Sequence, residues 1–272
     1  RATQSNVTIT GLHMHIGSNF MNPSPFLAMV DVLFREALAF PDLEGLSVGG
    51  GFGISVAGQI FADGTELEPI KVTGNGARWS GIDIDHSSDG TVRASTLQYV
   101  KLSYGTTLLD VAGTGTSPIR VDHCVFDRWS SLAVHWDGAH GLVLSHCELG
   151  MNTPLSEANH ETINGYRAGA IVEYSTFGRR RDYNDVVDLG DTSWGEPVPT
   201  LRYNVFTGGD DDAIDFDGSA GWIIGNLVMD HYPRPGSASN ANGGGITGND
   251  GSETVVMNNI VYHCYHGIGY KN

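Results

Sequence analysis

Residues 201–206 read LRYNVF, and the same six-residue frame recurs along most of the chain. The frame runs apolar-x-x-small-x-apolar, with Asn, Cys, Ser or Val at its fourth position. The other copies are LQYVKL (97–102), VDHCVF (121–126), LSHCEL (144–149), VEYSTF (172–177), IIGNLV (223–228) and VMNNIV (256–261). Successive copies begin 22 to 33 residues apart, which is shorter than a propeller blade of ~40–45 residues. The frame therefore predicts one short structural unit that is repeated many times.

Between the copies runs a second short segment in which apolar and polar residues alternate. Its apolar pairs are Leu109/Val111, Val134/Trp136, Val187/Leu189 and Ile214/Phe216. Short strands at this spacing, with no helical periodicity between them, predict an all-β fold, a right-handed parallel β-helix solenoid over residues 54–272. Equivalent positions of successive coils then form columns about 4.8 Å apart.

The composition agrees with a soluble repeat fold. Glycine makes up 37 of 272 residues, about twice its usual share, and we expect these glycines at the corners of the coils, where the backbone takes positive φ. The formal charge of −16, from 31 acidic and 15 basic residues, disfavours a nucleic-acid partner, since phosphate backbones need clustered Lys and Arg. No apolar run reaches the ~18 residues of a membrane span.

The segment before residue 54 follows a different pattern. Residues 24–39 place apolar side chains at helical spacing, and residues 7–16 and 43–48 read as strands. This predicts a short βαβ-like unit ahead of the β-helix, and hence two domains, 1–53 and 54–272. Because the chain opens on Arg1 rather than Met, we expect it to be part of a longer protein.

Two stretches of this first segment carry a family resemblance. SNVTITGLHMHIGSNF (5–20), followed after the helical stretch by LEGLSVGGGFGI (43–54), resembles the pyridoxal-phosphate-dependent diaminopimelate decarboxylases, which form an alanine-racemase-like barrel. A (β/α)₈ barrel takes about 250 residues, so one βαβ unit cannot close one. The family's Schiff-base lysine also falls upstream of the matching stretch. We therefore expect neither bound pyridoxal phosphate nor decarboxylase activity.

The resemblance assigns the cofactor positions residue by residue. It implies that His15 lies against the cofactor ring, and that Ser18 with Gly49, Gly50 and Gly51 holds the phosphate, a role that suits backbone N–H groups of a glycine-rich loop. Two origins of the segment stay open. It is either a fused piece of unrelated origin, such as a non-functional decarboxylase remnant, or a segment that covers the first coil.

The remainder of the chain resembles the right-handed β-helix proteins of the pectate-lyase-like superfamily. The stretches that carry this resemblance are IKVTGNGARWSGIDI (70–84), STLQYVKLSYG (95–105), GDDDAIDFDG (209–218) and NNIVYHCYHGIGYKN (258–272). The resemblance implies a secreted polysaccharide lyase, a glycoside hydrolase or a cell-surface repeat protein. We therefore expect an extracellular or cell-surface location and a polysaccharide or surface-glycan partner.

Alternation along the second strand places acidic residues on its outward side. If the apolar pairs point inward, then Asp83, Asp110, His135, Asp188 and Asp215 point outward and form one column. Stacked carboxylates repel one another, by about 1 kcal/mol per pair in water. Ca²⁺ offsets such repulsion because it accepts six to eight oxygen ligands in flexible geometry. The candidate Ca²⁺ ligands are Asp188, Asp211, Asp212, Asp215 and Asp217.

Three interpretations of this acidic column stay open. In the resembling lyases, aspartate-bound Ca²⁺ bridges to a substrate uronate and an Arg or Lys removes the α proton, and Arg179 and Arg202 are the candidate bases here. Alternatively a carboxylate pair hydrolyses a glycosidic bond. The third interpretation is a solvated outer face of a non-catalytic surface or adhesion repeat protein. The function predicted is polysaccharide binding or cleavage, with catalysis left undecided.

Polar residues at the fourth frame position predict internal ladders. Asn204, Asn226 and Asn259 are expected to pair their amides from coil to coil, and Cys124 and Cys147 to stack as small buried side chains rather than form a disulfide. Cys264 has no predicted role. The eleven histidines form no HExxH or similar motif, so the sequence predicts no zinc or iron site. The irregular residues 150–167 are expected to form a lip over a groove.

Overall fold

The structure, a computed structural model, describes residues 11–13, 45–47, 53–74, 77–85, 91–239, 243–249 and 251–270. Every strand pairing within these residues is parallel, and strands of successive coils stack in register. The predicted parallel β-helix is confirmed. The predicted helix over 24–39 lies outside the described residues.

Two short strands are described ahead of the coils. β1 (Gly11–His13) pairs with β2 (Gly45–Ser47) in parallel. Both strands lie within the stretches predicted as strands, 7–16 and 43–48, and the connection between them lies outside the described residues. The first strand of the coil stack is β3 (Gly53–Val56), which pairs with β6 (Gly81–Asp85).

One side of the β-helix is an eight-stranded sheet, here called the side sheet. Its strands are β4 (Phe61–Asp63), β7 (Ser95–Gln98), β9 (Ile119–Asp122), β11 (Leu142–Ser145), β14 (Ile171–Glu173), β17 (Thr200–Arg202), β20 (Ala220–Ile224) and β23 (Glu253–Met257). The first three positions of the repeated frame lie at the end of these strands and at the corner that follows them.

The other two sides belong to one fifteen-stranded sheet, because β8 (Val100–Gly115) and β10 (Val125–Ala139) run through both. After the frame's corner come β5 (Ile70–Thr73), β12 (Glu148–Leu149), β15 (Thr176–Phe177), β18 (Val205–Phe206), β21 (Leu227–Met229) and β24 (Ile260–Tyr262). The last side holds β3 and β6 with β13 (Ile163–Tyr166), β16 (Val187–Gly190), β19 (Ile214–Asp217), β22 (Gly244–Gly248) and β25 (His266–Tyr270). Within the described residues the one helical element is a 3₁₀ turn at Leu155–Glu157.

The corners depend less on glycine than the composition predicts. Eleven described glycines have positive φ, but so do thirteen non-glycine residues. In five of the seven copies of the repeated frame the corner is occupied by an aromatic residue, as at His123 with φ 52° and Tyr174 with φ 49°. The expectation that glycine provides these corners is therefore wrong for most copies of the frame, although Gly225, with φ 65°, occupies the corner of IIGNLV (223–228). Stacking of the side chains between coils, described below, accompanies this strained backbone.

The core follows the predicted pattern. The alternating apolar residues of the second strand point inward, and Trp136 is 1% exposed. The asparagine ladder is confirmed, since Asn204 donates its side-chain amide to Asn226 at 3.1 Å and Asn226 donates to Asn259 at 2.9 Å. Cys124 and Cys147 are buried free thiols, as expected, and Cys264 is also free.

Candidate functional site

The outward positions of the last side form the predicted column. Strand register aligns one residue from each of six successive strands. In order, these residues are Asp83, Asp110, His135, Asn164, Asp188 and Asp215. A second column lies two residues further along each strand. Its members are Asp85, Ala112, Asp137, Tyr166, Gly190 and Asp217. We call these two columns together the acidic face.

One carboxyl group of the acidic face, that of Asp188, has a raised pKa. Burial raises the pKa of Asp188 to about 7, and the negative charges of three neighbouring carboxylates, those of Glu161, Asp217 and Asp215, add to the effect. The Asn164 side-chain amide donates to Asp188 Oδ2 at 3.0 Å and fixes the carboxyl in place. Asp188 therefore holds a proton in the pH range where an ordinary aspartate is ionised.

Glu161 joins the acidic face from the irregular segment that precedes β13. Burial raises the pKa of Glu161, against the lowering effect of a hydrogen bond with Asn164. Its backbone oxygen accepts a hydrogen bond from the indole of Trp129 at 2.7 Å, which ties the segment to the coil below. Sequence reasoning missed Glu161 because the segment interrupts the repeat and has no equivalent in other coils.

Three aspartates at the start of neighbouring strands come together where the acidic face reaches Asp215. Asp185, Asp212 and Asp215 each offer a carboxylate oxygen, and the three oxygens lie within 4.8 Å of one another. Asp212 and Asp215 are almost wholly buried, and the Thr247 hydroxyl donates to Asp212 at 2.8 Å. This arrangement, here called the aspartate cluster, consists of the hard oxygen ligands that Ca²⁺ prefers.

The candidate Ca²⁺ ligands are thus divided between places. Asp188 and Asp217 lie on the acidic face, Asp212 belongs to the aspartate cluster, and Asp215 belongs to both. Asp211 is buried and its backbone oxygen accepts a hydrogen bond from His231 at 2.8 Å. The sequence prediction omitted Asp185, although a signal was present: NDVVD and DDAID place an aspartate three residues before both Asp188 and Asp215.

The two candidate bases, Arg202 and Arg179, form hydrogen bonds with carboxylates that do not belong to the acidic face. Arg202 ends β17 on the side sheet, and its Nε donates to Glu173 at 2.6 Å. Arg179 follows β15, and its guanidinium donates to the buried carboxylate of Asp210 at 3.3 Å. Neither side chain is among the charges that act on Asp188.

Aromatic and basic groups flank the carboxylates of the acidic face. His135 Nδ1 lies 2.8 Å from Asp110 Oδ1, and this hydrogen bond raises the pKa of His135. The ring of Tyr166 meets the His135 ring edge to face, with centroids 6.3 Å apart. The Arg167 guanidinium donates to Asp137, with Nε at 2.8 Å from the carboxylate. The face therefore offers polar groups and a ring edge along several coils.

The cofactor positions implied by the decarboxylase resemblance, His15, Ser18 and Gly49–Gly51, lie outside the described residues. In the part of the chain that is described, the lysines are Lys71 and Lys101, register partners on exposed positions of β5 and β8. Such solvated amines do not fit the buried lysine that a Schiff base with pyridoxal phosphate needs.

Comparison with known proteins supports the N-terminal resemblance. Residues 1–67 match the family described as pyridoxal-dependent decarboxylase, pyridoxal binding domain. The match extends past β3 and β4, which already pair with strands of the next coil. No curated protein and no solved structure matches the chain. In the part of the chain that the structure describes, no helix has the length and apolar character required to span a membrane.

Proposed function

We propose that the acidic face binds polysaccharide and hydrolyses a glycosidic bond, with Asp188 as the proton donor. The observation that carries this proposal is the raised pKa of Asp188, about 7, in a group that keeps contact with solvent. An acid that remains protonated beside ionised carboxylates is the arrangement that glycoside hydrolysis requires. The parallel β-helix is compatible with an extended polysaccharide because the face continues over several coils.

The mechanism needs a second carboxylate. Asp217 is exposed, lies one coil away in the second column, and is oriented by the side-chain amide of Asn249. We assign it the role of base or nucleophile, since solvent reaches it. Asp188 gives its proton to the leaving oxygen, and Asp217 activates water or attacks the anomeric carbon.

Binding must overcome the negative charge of the face. A neutral polysaccharide avoids repulsion, and the rings of Tyr166 and His135 offer apolar contact to a sugar. An acidic polysaccharide needs a bridging cation, for which the aspartate cluster supplies oxygen ligands. Ca²⁺ held by Asp185, Asp212 and Asp215 would lie beside the acidic face and attract a uronate carboxylate. We place this activity outside the cell or on its surface, where such polymers occur.

The test compares products from neutral and uronate-containing polysaccharides, with and without Ca²⁺. We expect new reducing ends without the ultraviolet absorbance of an unsaturated uronate, and a loss of about 10²–10⁴-fold in rate for Asp188→Asn. Arg202→Gln is the matched control, because it removes a charge on the side sheet, and it should retain the rate.

Unsaturated products that disappear in Arg202→Gln would instead identify a lyase. Tight binding without any cleavage would identify a non-catalytic surface or adhesion module.

A further inference from the structure

A ladder of stacked rings runs along the corner between the side sheet and the fifteen-stranded sheet. It is formed by the third residue of five of the seven repeated frames, namely Tyr99, His123, His146, Tyr174 and Tyr203. Neighbouring ring centroids are 4.8 to 5.3 Å apart. The two histidine rings are nearly parallel, with an interplanar angle of 15°. The ladder thus holds two imidazoles side by side at the surface.

A carboxylate faces both imidazoles. Asp122 Oδ2 lies 3.0 Å from His123 Nδ1, and Asp122 Oδ1 lies 3.1 Å from His146 Nδ1. The Ser145 hydroxyl donates to Asp122 Oδ1 at 2.8 Å and fixes the carboxylate. One donor atom from each of Asp122, His123 and His146 lies within 4.8 Å of the others.

We propose that Asp122, His123 and His146 form a binding site for a divalent first-row transition metal ion such as Zn²⁺ or Cu²⁺. Imidazole nitrogen suits these ions, and a carboxylate completes a three-ligand set that leaves further positions for water. Zn²⁺ bonds to nitrogen and oxygen ligands are about 2.0–2.2 Å long, so three donors this close can share one ion after small side-chain rotations. Metal binding at the two Nδ1 atoms leaves the remaining proton of each neutral imidazole on Nε2.

The site is built before the ion arrives. His123 and His146 donate their backbone N–H groups to Ser145 and Glu173 of the next coils at 3.1 and 3.2 Å. The rings are held between Tyr99 on one side and Tyr174 on the other. Because these side chains have already lost rotamer freedom, binding costs little further entropy. Roughly half of each histidine side chain is exposed, 41% and 49%, so an ion has access from solvent.

The chain contains an internal comparison. At another corner His263 Nδ1 lies 2.6 Å from Asp230 Oδ1, and the His263 ring stacks on Tyr232. This pair has the same two residue types but one imidazole. It should bind the same ion much more weakly, which makes His263 the matched control. The proposal is independent of glycan hydrolysis, because the metal site lies at the corner after the side-sheet strands, whereas the acidic face lies on the strands of the last side.

The experiment consists of two titrations. In the first, Cu²⁺ is added and electron paramagnetic resonance reports how many nitrogen atoms coordinate it. In the second, Zn²⁺ is added and calorimetry measures its affinity. The informative variant is His146→Tyr, because tyrosine occupies the same corner with the same backbone at Tyr99, Tyr174 and Tyr203. This change should keep the ladder and the thermal stability. We expect one tight site in the wild-type protein, and a loss in affinity of at least tenfold in His146→Tyr, about what loss of even an outer-shell partner costs.

His123→Tyr and Asp122→Asn should weaken the same site, whereas His263→Tyr should retain it. A two-nitrogen Cu²⁺ spectrum that becomes a one-nitrogen spectrum in His146→Tyr supports the assignment. Unchanged Zn²⁺ affinity in His146→Tyr, with melting temperature equal to the wild type, would overturn it. Loss of the tight site in His263→Tyr would also overturn it, because the ion would then lie at the Asp230 corner.

Discussion

Asp188 and Asp215 are register partners on β16 and β19, one coil apart on the acidic face. Each follows another aspartate by three residues, and the earlier pair, Asp185 and Asp212, meets Asp215 in the aspartate cluster. Repetition of one short pattern in adjacent coils thus produces both a proton-holding carboxyl and a set of oxygen ligands. The two features lie side by side because the β-helix stacks equivalent positions.

Asp188 should make the protein less stable as the pH rises. Its folded pKa, about 7, exceeds the ordinary value of 3.8, so between these pH values the folded state binds a proton that the unfolded state has released. Stability is then lost progressively as the pH rises through 4 to 7. Because the shift of about three pKa units is worth up to about 4 kcal/mol, the free energy of unfolding of Asp188→Asn, measured by chemical unfolding in the presence of a chelator, should decline less over this pH range, by up to about 4 kcal/mol. Equal slopes for both proteins would contradict the assignment.

Calcium should stabilise the folded protein through the aspartate cluster. A ligand at about 100 times its Kd contributes about 2.7 kcal/mol, so millimolar Ca²⁺ should raise the melting temperature by several degrees and chelator should reverse the effect. Asp212→Asn should abolish the shift, while Asp63→Asn, an exposed change on β4, should leave it intact. A shift that persists in Asp212→Asn would place the ion elsewhere.

The asparagine ladder should contribute strongly to stability. In Asn226→Ala the backbone N–H of Asn204 loses its side-chain acceptor and the Asn204 amide loses one of its two acceptors. On the other side, Asn259 Oδ1 loses the Asn226 side-chain amide as a donor. Leaving buried polar groups unsatisfied costs about 1–3 kcal/mol each. We expect a loss of about 2–4 kcal/mol in urea unfolding, whereas exposed Asn159→Ala should change stability by less than about 0.5 kcal/mol. A near-neutral Asn226→Ala would argue against the ladder.

Gly165 in β13 packs so closely against the core that there should be no room for a side chain at this position. A Cβ at Gly165 would lie 2.1 Å from the indole of buried Trp136, whereas a Cβ at Gly269 would meet nothing within 4 Å. Both glycines lie on strands of the same side. Gly165→Ala should therefore destabilise by about 1–3 kcal/mol, measured by thermal unfolding, and Gly269→Ala should not. Equal effects would mean that Trp136 can move away.

The sequence predicted those parts of the site that repetition fixes. Register between coils follows from the frame, so the column from Asp83 to Asp215 and the ladder at Asn226 could be placed in advance. Glu161 could not, since it comes from a segment without an equivalent in other coils. The pairing of Arg202 with Glu173 was not predicted, although both residues occupy the second position of the repeated frame and the register of the frame aligns them.

The ring ladder was hidden for a different reason. Aromatic residues rarely adopt positive φ, so glycine was expected at the corners that Tyr174 and His146 occupy. Stacking across coils brings His123 and His146 together although they are separated by a whole repeat. A motif search along the chain does not detect ligands that only the coil period aligns.

The pH dependence of polysaccharide hydrolysis tests the central claim most directly. With Asp188 as proton donor, the rate should fall as the pH rises through about 7, because the carboxyl loses the proton that it must give. Asp188→Asn should be nearly inactive at every pH. A rate that rises between pH 7 and 9, and that survives in Asp188→Asn, would show that a base elsewhere performs the chemistry and would contradict the account.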